Sequence, residues 1–224
     1  MRVSGRPTGR QIVDYGEVRD EVDLVVPVKT LDRAKTRLTS ATGGDPVSHA
    51  ALALALAMDT VSAALATPGV RRVVTITSDP AVASEMAALG VDSLPEPPVP
   101  GLNEALLHGA QTLRSPRIGA LQADLPALKP GELQAALETA AGRRAFVPDR
   151  QGTGTTLLLA APGGELDPRF GVGSAGHHRI SGAVALFGPW PSLRCDVDTE
   201  EDLRLALTLG LGVHTANALP AWTT

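Results

Sequence analysis

RRVVTITSDPAVASEMAALG, Arg71 to Gly90, decides the fold. Its opening stretch, Arg71–Ser78, is rich in β-branched residues and reads as a strand. Asp79 and Pro80 then supply an N-cap and a first-turn proline. AVASEMAAL reads as a helix, and Gly90 is placed to end it. The same grammar recurs on both sides. Upstream, VDLVVPV (Val22–Val28) reads as a buried strand, followed by the polar loop KTLDRAKTRLTSATGG. Asp45 and Pro46 open a helix carrying ALALALAMDTVSAALA, which stops near Pro68. Downstream, VDSL is a short strand, EPPVPG (Glu96–Gly101) a loop, and LNEALLHGAQTLR a helix. IGALQA (Ile118–Ala123) is a strand ending at Asp124, and PGELQAALETAAG is a helix. RAFVPD, GTGTTLLLAA, AVALF and LRCDVD are expected as further strands, and Thr199 caps EEDLRLALTLG. Strands alternating with helices of this length predict one α/β domain over 22–224, with a mostly parallel, mixed sheet covered by helices on both faces. Residues 1–21 read as a polar extension.

Composition narrows the function. The chain has 224 residues, 43% of them hydrophobic, enough for one full core. Only 3% are aromatic, so Val, Leu, Ile and Ala fill it. No uninterrupted apolar run reaches the roughly 18–20 residues of a membrane span. The N-terminus lacks the apolar stretch of a signal peptide. One cysteine excludes an internal disulfide and fits a reducing cytoplasm. A net charge of −4 with no basic run argues against a nucleic-acid partner. Of the 20 basic residues only Lys29, Lys35 and Lys129 are lysine, and this bias, with so much alanine, resembles a GC-rich, actinobacterial genome.

In open α/β sheets ligands bind at the carboxyl ends of strands, so the polar residues after each apolar run matter most. KTLDRAKTR (Lys29–Arg37) places Lys29, Arg33, Lys35 and Arg37 directly after the first strand. Such a cluster suits a nucleotide triphosphate, although a solvated basic loop would look the same. No Walker sequence occurs, which counts against a P-loop ATPase. In LQADLPAL, Asp124 follows a strand, where it could hold a divalent metal or serve as a turn residue. In CDVDTEEDL, Asp196 and Asp198 lie two apart, so on a strand both point to one face. Paired carboxylates repel unless a cation intervenes, and hard oxygen ligands suit Mg²⁺ or Mn²⁺ rather than zinc. Cys195 alternates to the other face and reads as core.

PDRQGTGTT (Pro148–Thr156) has glycines that allow close backbone approach and several hydroxyls, or it is a plain hairpin turn. In RFGVGSAGHHR (Arg169–Arg179), GVGSAG matches G-x-G-x-x-G, but no strand precedes it and Gly182 stops a long helix. An isolated phosphate or carboxylate fits that loop better than a dinucleotide. His177 and His178 lack a third ligand at metal spacing. In GLNEAL, Asn103 stands at a helix start, able to bond a ribose or base or merely to cap.

Taken in order, PVKTLDRAKTRL, GLNEAL, LQADLPAL, FVPDRQGTGTT, RFGVGSAGHHR and LRCDVDTEEDL resemble the phosphoenolpyruvate or 2-phospho-L-lactate guanylyltransferases of coenzyme F-420 biosynthesis. The resemblance runs from about Asp23 to Gly212. It implies a nucleotide-diphospho-sugar-transferase-like, Rossmann-like fold and transfer of GMP from GTP to the phosphoacid. It also implies two Mg²⁺ ions held by Asp124, Asp196 and Asp198, which together with Lys29 form the catalytic set. Phosphoacid-binding positions match Thr156, Gly171 and Ser174. The nucleotide would fall to Lys29, Lys35, Arg37 and Asn103. The expected partners are the two substrates and a downstream enzyme of the same pathway, with no nucleic acid and no membrane. Composition favours phosphoenolpyruvate over phospholactate. Two alternatives stand: a guanylyltransferase for a molybdopterin or sugar phosphate, and a non-catalytic nucleotide-binding protein of the same fold. The first expects a glycine-rich loop after strand one, where this chain is lysine- and arginine-rich. The second expects lost metal carboxylates, and all three are present.

Overall fold

The computed structural model describes residues 21–31 and 45–219. The polar extension before Glu21, together with Arg33, Lys35 and Arg37, lies outside the described residues.

The elements in chain order are β1 Val22–Pro27, α1 Pro46–Leu65, β2 Val70–Ile76, α2 Pro80–Ala88, β3 Asp92–Leu94, α3 Leu102–Leu113 and β4 Ile118–Leu121. There follow α4 Pro130–Ala140, β5 Ala145–Pro148, β6 Thr155–Leu159, α5 Ser174–Ile180, β7 Val184–Ala185, α6 Glu200–Leu209 and α7 Val213–Ala218. The strands form one seven-stranded sheet in the order β3-β2-β1-β4-β6-β5-β7. Strands β3, β2, β1 and β4 run parallel, β6 is antiparallel to both its neighbours, and β7 is parallel to β5. The sheet is thus mixed and mostly parallel, as the alternation predicts.

Local chemistry sets the helix starts. The Asp45 carboxylate accepts from the Ser48 amide at 2.9 Å. Asp79 accepts from Ala81 and Val82, and also from the Leu31 amide at 3.0 Å, which ties the chain after β1 to the end of β2. Thr199 and Asp202 form a reciprocal capping box at α6.

Both faces of the sheet are buried. Leu24 and Val26 of β1 pack with α1, α2 and α4 through Val61, Met86 and Leu133. Val25 of β1 faces the other way, against Leu106 of α3 and Ala175 of α5. A third cluster seats Leu52 and Leu56 of α1 against Val197, Leu203, Ala206 and Leu219. By length and composition Val47–Leu65 of α1 qualifies as a membrane span. Counting uninterrupted apolar residues misses this, because Asp59, Thr60 and Ser62 break the run. Half of that window is buried inside the protein, in two of the three clusters, as in a core helix.

Two expected strands are corrected, and one helix is added. LRCDVD is not a strand: residues 191–194 form turns, and 195–198 run outside the sheet. The free edge of β5 is taken by β7, and Val197 instead reaches the Asp124 carbonyl with its amide at 3.0 Å. AVALF contributes only the two residues of β7. Helix α7 was not foreseen. Its N-terminus has no cap of its own, and the buried Asp59 of α1 accepts from the His214 and Thr215 amides at 3.0 and 2.7 Å.

Candidate active site

A cleft of about 900 Å³ opens at the carboxyl edge of β1 and β4. Its walls come from Pro27–Lys29 after β1, Gln122–Asp124 after β4, the loop between β5 and β6, the loop Phe170–Ser174, and Asp196 with Asp198. Lys29 is exposed and lines it, so β1 delivers a cation to the rim.

Asp124 stands on a braced backbone. The buried Thr60 hydroxyl of α1 accepts from the Leu125 amide at 2.9 Å and lies 3.2 Å from the Ala123 carbonyl. The Val197 bond to the Asp124 carbonyl then brings in the segment that carries Asp196 and Asp198. That segment keeps the expected alternation without a sheet partner: Cys195 and Val197 are buried, Asp196 is partly exposed and Asp198 exposed. Cys195 is core, its thiol pushed up to about 11 by burial and nearby carboxylates, which excludes a thiolate nucleophile at neutral pH.

A fourth carboxylate joins them. Asp149, at the end of β5, accepts from the Thr153 and Gly154 amides at 2.8 and 2.7 Å and lines the same cleft. A Cβ on Gly154 would lie 2.4 Å from the Asp149 Oδ2, so this turn requires glycine there. Arg194 closes the strand end, donating to the Pro148 and Asp149 carbonyls. Burial, then the charges of Asp124, Asp149 and Asp198, raise the Asp196 carboxyl to about 7. The cleft is therefore a place where the carboxylates of Asp124, Asp149, Asp196 and Asp198 crowd negative charge.

The wall formed by the Phe170–Ser174 loop and Thr155 carries no charge and mixes apolar and hydroxyl side chains. Gly171 and Ser174 line it, and Gly171 and Gly173 adopt φ of +131° and +73°, values that favour glycine. Thr156 does not line the cleft. Its side chain is buried, 3.4 Å from the Val147 carbonyl, and the neighbouring Thr155 faces the cleft instead. Adjacent strand residues point to opposite faces, so one position decides which hydroxyl is presented. Asn103 is not at the cleft wall either. Its amide donates to the Phe170 carbonyl at 3.1 Å and accepts from the Phe170 amide at 2.8 Å, pinning the glycine loop to α3. Behind this wall the buried His178 bonds Thr155 and the Arg169 amide and packs edge-on against Phe170.

Sequence reasoning named the hydroxyls of Thr153, Thr155 and Thr156 together but missed Asp149, Thr60 and the role of His178. Asp149 stood inside the motif singled out for those hydroxyls and its glycines. Thr60 and His178 act through contacts distant in sequence and carry no local signal.

Comparison with known proteins identifies the family and the fold. The family model described as "Guanylyl transferase CofC like" matches residues 22–221. A phosphoenolpyruvate guanylyltransferase of Geodermatophilus obscurus is 54% identical over 200 residues, covering 88% of this chain and 93% of its own. One of Salinispora arenicola is 55% identical over 196 residues, covering 86% and 91%. Among solved structures, a chain of Desulfovibrio desulfuricans assigned as a nucleotide-diphospho-sugar transferase superposes with a TM-score of 0.64 at 18% identity, over 90% of this chain and 97% of that one. A cytidylyltransferase of Leptospira borgpetersenii gives 0.54 at 14% identity, over 91% and 96%. At such identities these two establish the fold alone, which is of the nucleotide-diphospho-sugar-transferase type.

Proposed function

Because the chain belongs to the CofC-like guanylyl transferase family, we propose that its cleft transfers GMP from GTP to phosphoenolpyruvate in coenzyme F-420 biosynthesis. The products are enolpyruvyl-diphospho-5'-guanosine and pyrophosphate. The observation that carries the reading is the cleft itself: crowded carboxylates and Lys29 on one side, an uncharged hydroxyl and glycine wall on the other. Such a pairing suits a nucleotide's phosphates on the first side and a small acid on the second.

A phosphate oxygen of the acceptor attacks the α-phosphorus of GTP. A new P–O bond forms as the bond to the β-phosphate oxygen breaks, and pyrophosphate leaves with that electron pair. The attacking oxygen is already ionised at neutral pH, so no general base is required. Lys29 offsets charge on the triphosphate. The Phe170–Ser174 loop, held by Asn103, orients the acid for in-line approach.

Two Mg²⁺ ions fit the donor set. Asp124, Asp196 and Asp198 offer hard oxygen ligands. Burial, and then the neighbouring carboxylates, raise the Asp196 carboxyl, and a cation would offset both. Among the described residues no three donor side chains form a metal-holding group by themselves. Water and substrate phosphates would complete each shell, as is usual for Mg²⁺. When bound, such ions draw charge off the phosphates.

The test is pyrophosphate release with GTP, ATP or CTP, with and without phosphoenolpyruvate, in Mg²⁺ and then in excess chelator. Release is expected with GTP, phosphoenolpyruvate and Mg²⁺ together, and to cease on chelation. No release from that mixture would refute the reading. Direct competition between phosphoenolpyruvate and phospholactate, with products resolved by mass, then tests the choice of acid.

Two variants separate the subsites. Lys29→Ala should lower kcat/KM for GTP by about tenfold or more. Asn103→Leu should raise the KM for the acid about fivefold or more, by freeing the glycine loop, with the KM for GTP unchanged. If the lysine change raises only the acid's KM, the two subsites are reversed.

A further inference from the structure

We infer that Thr60, in the body of α1, is a positioning residue for the Asp124 carboxylate, because its buried hydroxyl fixes the backbone on both sides of that aspartate. The inference rests on the Mg²⁺ reading above and adds to it a residue that touches neither metal nor substrate.

The sheet stops short of Asp124. Strand β4 ends at Leu121, and the Gln122 amide still reaches β6, donating to the Thr156 carbonyl at 2.9 Å. Beyond that point other elements must satisfy and hold the backbone. The Val197 amide donates to the Asp124 carbonyl at 3.0 Å, and the Gly212 amide to the Pro126 carbonyl at 2.8 Å. Thr60 works between these two. Its Oγ1 accepts from the Leu125 amide at 2.9 Å and lies 3.2 Å from the Ala123 carbonyl. It therefore grips the residue before Asp124 and the residue after it, and so limits where the Asp124 side chain can be aimed.

A threonine inside a helix ordinarily turns its hydroxyl proton back on its own helix, and Thr60 does so, to the Leu56 carbonyl at 2.8 Å. That bond needs nothing outside α1. The bond from Leu125 does: it joins positions 65 apart and uses a lone pair that the helix leaves over. Thr60 is wholly buried, so its hydroxyl has no solvent to turn to instead. The anchor is itself held firmly. Leu56 and Val61 are buried in different core clusters, and Asp59 accepts from the His214 and Thr215 amides. A ligand supported from a packed helix keeps its aim better than one on a loop alone. Ala53, Leu56 and Ala57 of α1 line the cleft but Thr60 does not, so Thr60 acts only through the backbone around Asp124.

The experiment compares wild type, Thr60→Val, Thr60→Ser and Val61→Ala. Thr60→Val keeps the β-branched shape and removes the hydroxyl. Val61→Ala is the control: it loosens the same helix by lost packing and leaves the Asp124 turn alone. Mn²⁺ alone is titrated into each protein, with the free ion read by electron paramagnetic resonance. Circular dichroism melts follow each fold, and turnover of GTP with phosphoenolpyruvate is measured against Mg²⁺ concentration. Thr60→Val is expected to bind Mn²⁺ about 10- to 100-fold more weakly and to need more Mg²⁺ in proportion, the usual cost of removing a support behind a metal ligand. Thr60→Ser should restore most of that loss. Thr60→Val and Val61→Ala should both melt earlier than wild type. Only the first should lose the ion, since Val61→Ala should hold Mn²⁺ within about twofold of wild type. If the valine variant does not fold, Thr60→Ala removes the same hydroxyl and takes its place. Unchanged Mn²⁺ affinity without the hydroxyl, or an equal loss in Val61→Ala, overturns the inference. A wild type that neither takes up Mn²⁺ nor needs Mg²⁺ for turnover instead overturns the metal reading, and is seen before any variant is assayed.

Discussion

Asp196→Asn should lower turnover about a hundredfold to a thousandfold, the scale of losing one preorganised charge-stabilising group, while making the metal-free protein melt higher at alkaline pH. Both halves come from the same crowding. The Asp196 carboxyl is held at about 7 in the fold by burial and by Asp124, Asp149 and Asp198. In the unfolded chain it returns to about 3.9. Between those values the native state keeps a proton that the unfolded state gives up. Stability is therefore full below about pH 4 and is lost as pH rises through 7. Asparagine cannot ionise, so the variant escapes that loss. At pH 8 its melting temperature should exceed that of the wild type by roughly 2 to 8 °C, counting about 1 to 2 kcal/mol after discounting for partial exposure. At pH 4 the two should melt together. Added Mg²⁺ should raise the wild type at pH 8 and the variant less. Asp124→Asn and Asp198→Asn should lose activity to a similar degree. Activity within tenfold of wild type in any two of the three would sink the metal assignment.

Gly109→Val should unfold the protein early and weaken use of the acid together. Helix α3 lies against the sheet at Gly109, where an added Cβ would fall 2.7 Å from Val25 Cγ1 and 2.9 Å from Ile76 Cδ1. Both neighbours are wholly or almost wholly buried and cannot move aside cheaply. Overpacking of this kind costs about 3 kcal/mol, or about 6 to 12 °C in a chain of this size. The same helix carries Asn103, so pushing α3 outward pulls on Phe170 and loosens the glycine loop. The KM for the acid should rise while that for GTP holds. Gly131→Ala in α4 is the control, since a Cβ there meets nothing within 4 Å. Its melting temperature should hold or rise slightly. A Gly109→Val protein that melts with the wild type would show that α3 yields without strain.

The fold was readable because its signals are local. Asp45, Asp79 and Thr199 each cap a helix by bonding a residue two or three positions on, a contact written in the sequence itself. The apolar, β-branched runs of β1 and β2 needed no partner to be recognised. What escaped depended on distant contacts. Thr155 and Thr156 are indistinguishable as neighbours in a strand. Which one meets the cleft follows from the pairing of β6 with β5, which is itself irregular at Val147 and Pro148. Asn103 looked like a cap or a base-binding residue because its partner, Phe170, is 67 positions away. LRCDVD has the composition of a strand, but the neighbouring edge of β5 was already occupied by β7. The carboxylates were easier, since Asp124, Asp196 and Asp198 needed only to end near the same sheet edge, and all three line one cleft.

The bond from His214 to Asp59 spans 155 positions and is among the last that a growing chain can make. Helix α1 leaves the ribosome long before α6 and α7, whose neighbourhood covers Leu52 and Leu56. At a synthesis rate of about 5 to 20 residues per second, that apolar face waits roughly 8 to 30 seconds for its cover. Asp196 and Asp198 arrive in the same late stretch. A chain released early would present a bare leucine face and an incomplete carboxylate set. In such a fragment Leu52 and Leu56 lack the neighbours that bury them in the full chain, so exposed apolar surface makes it prone to aggregate.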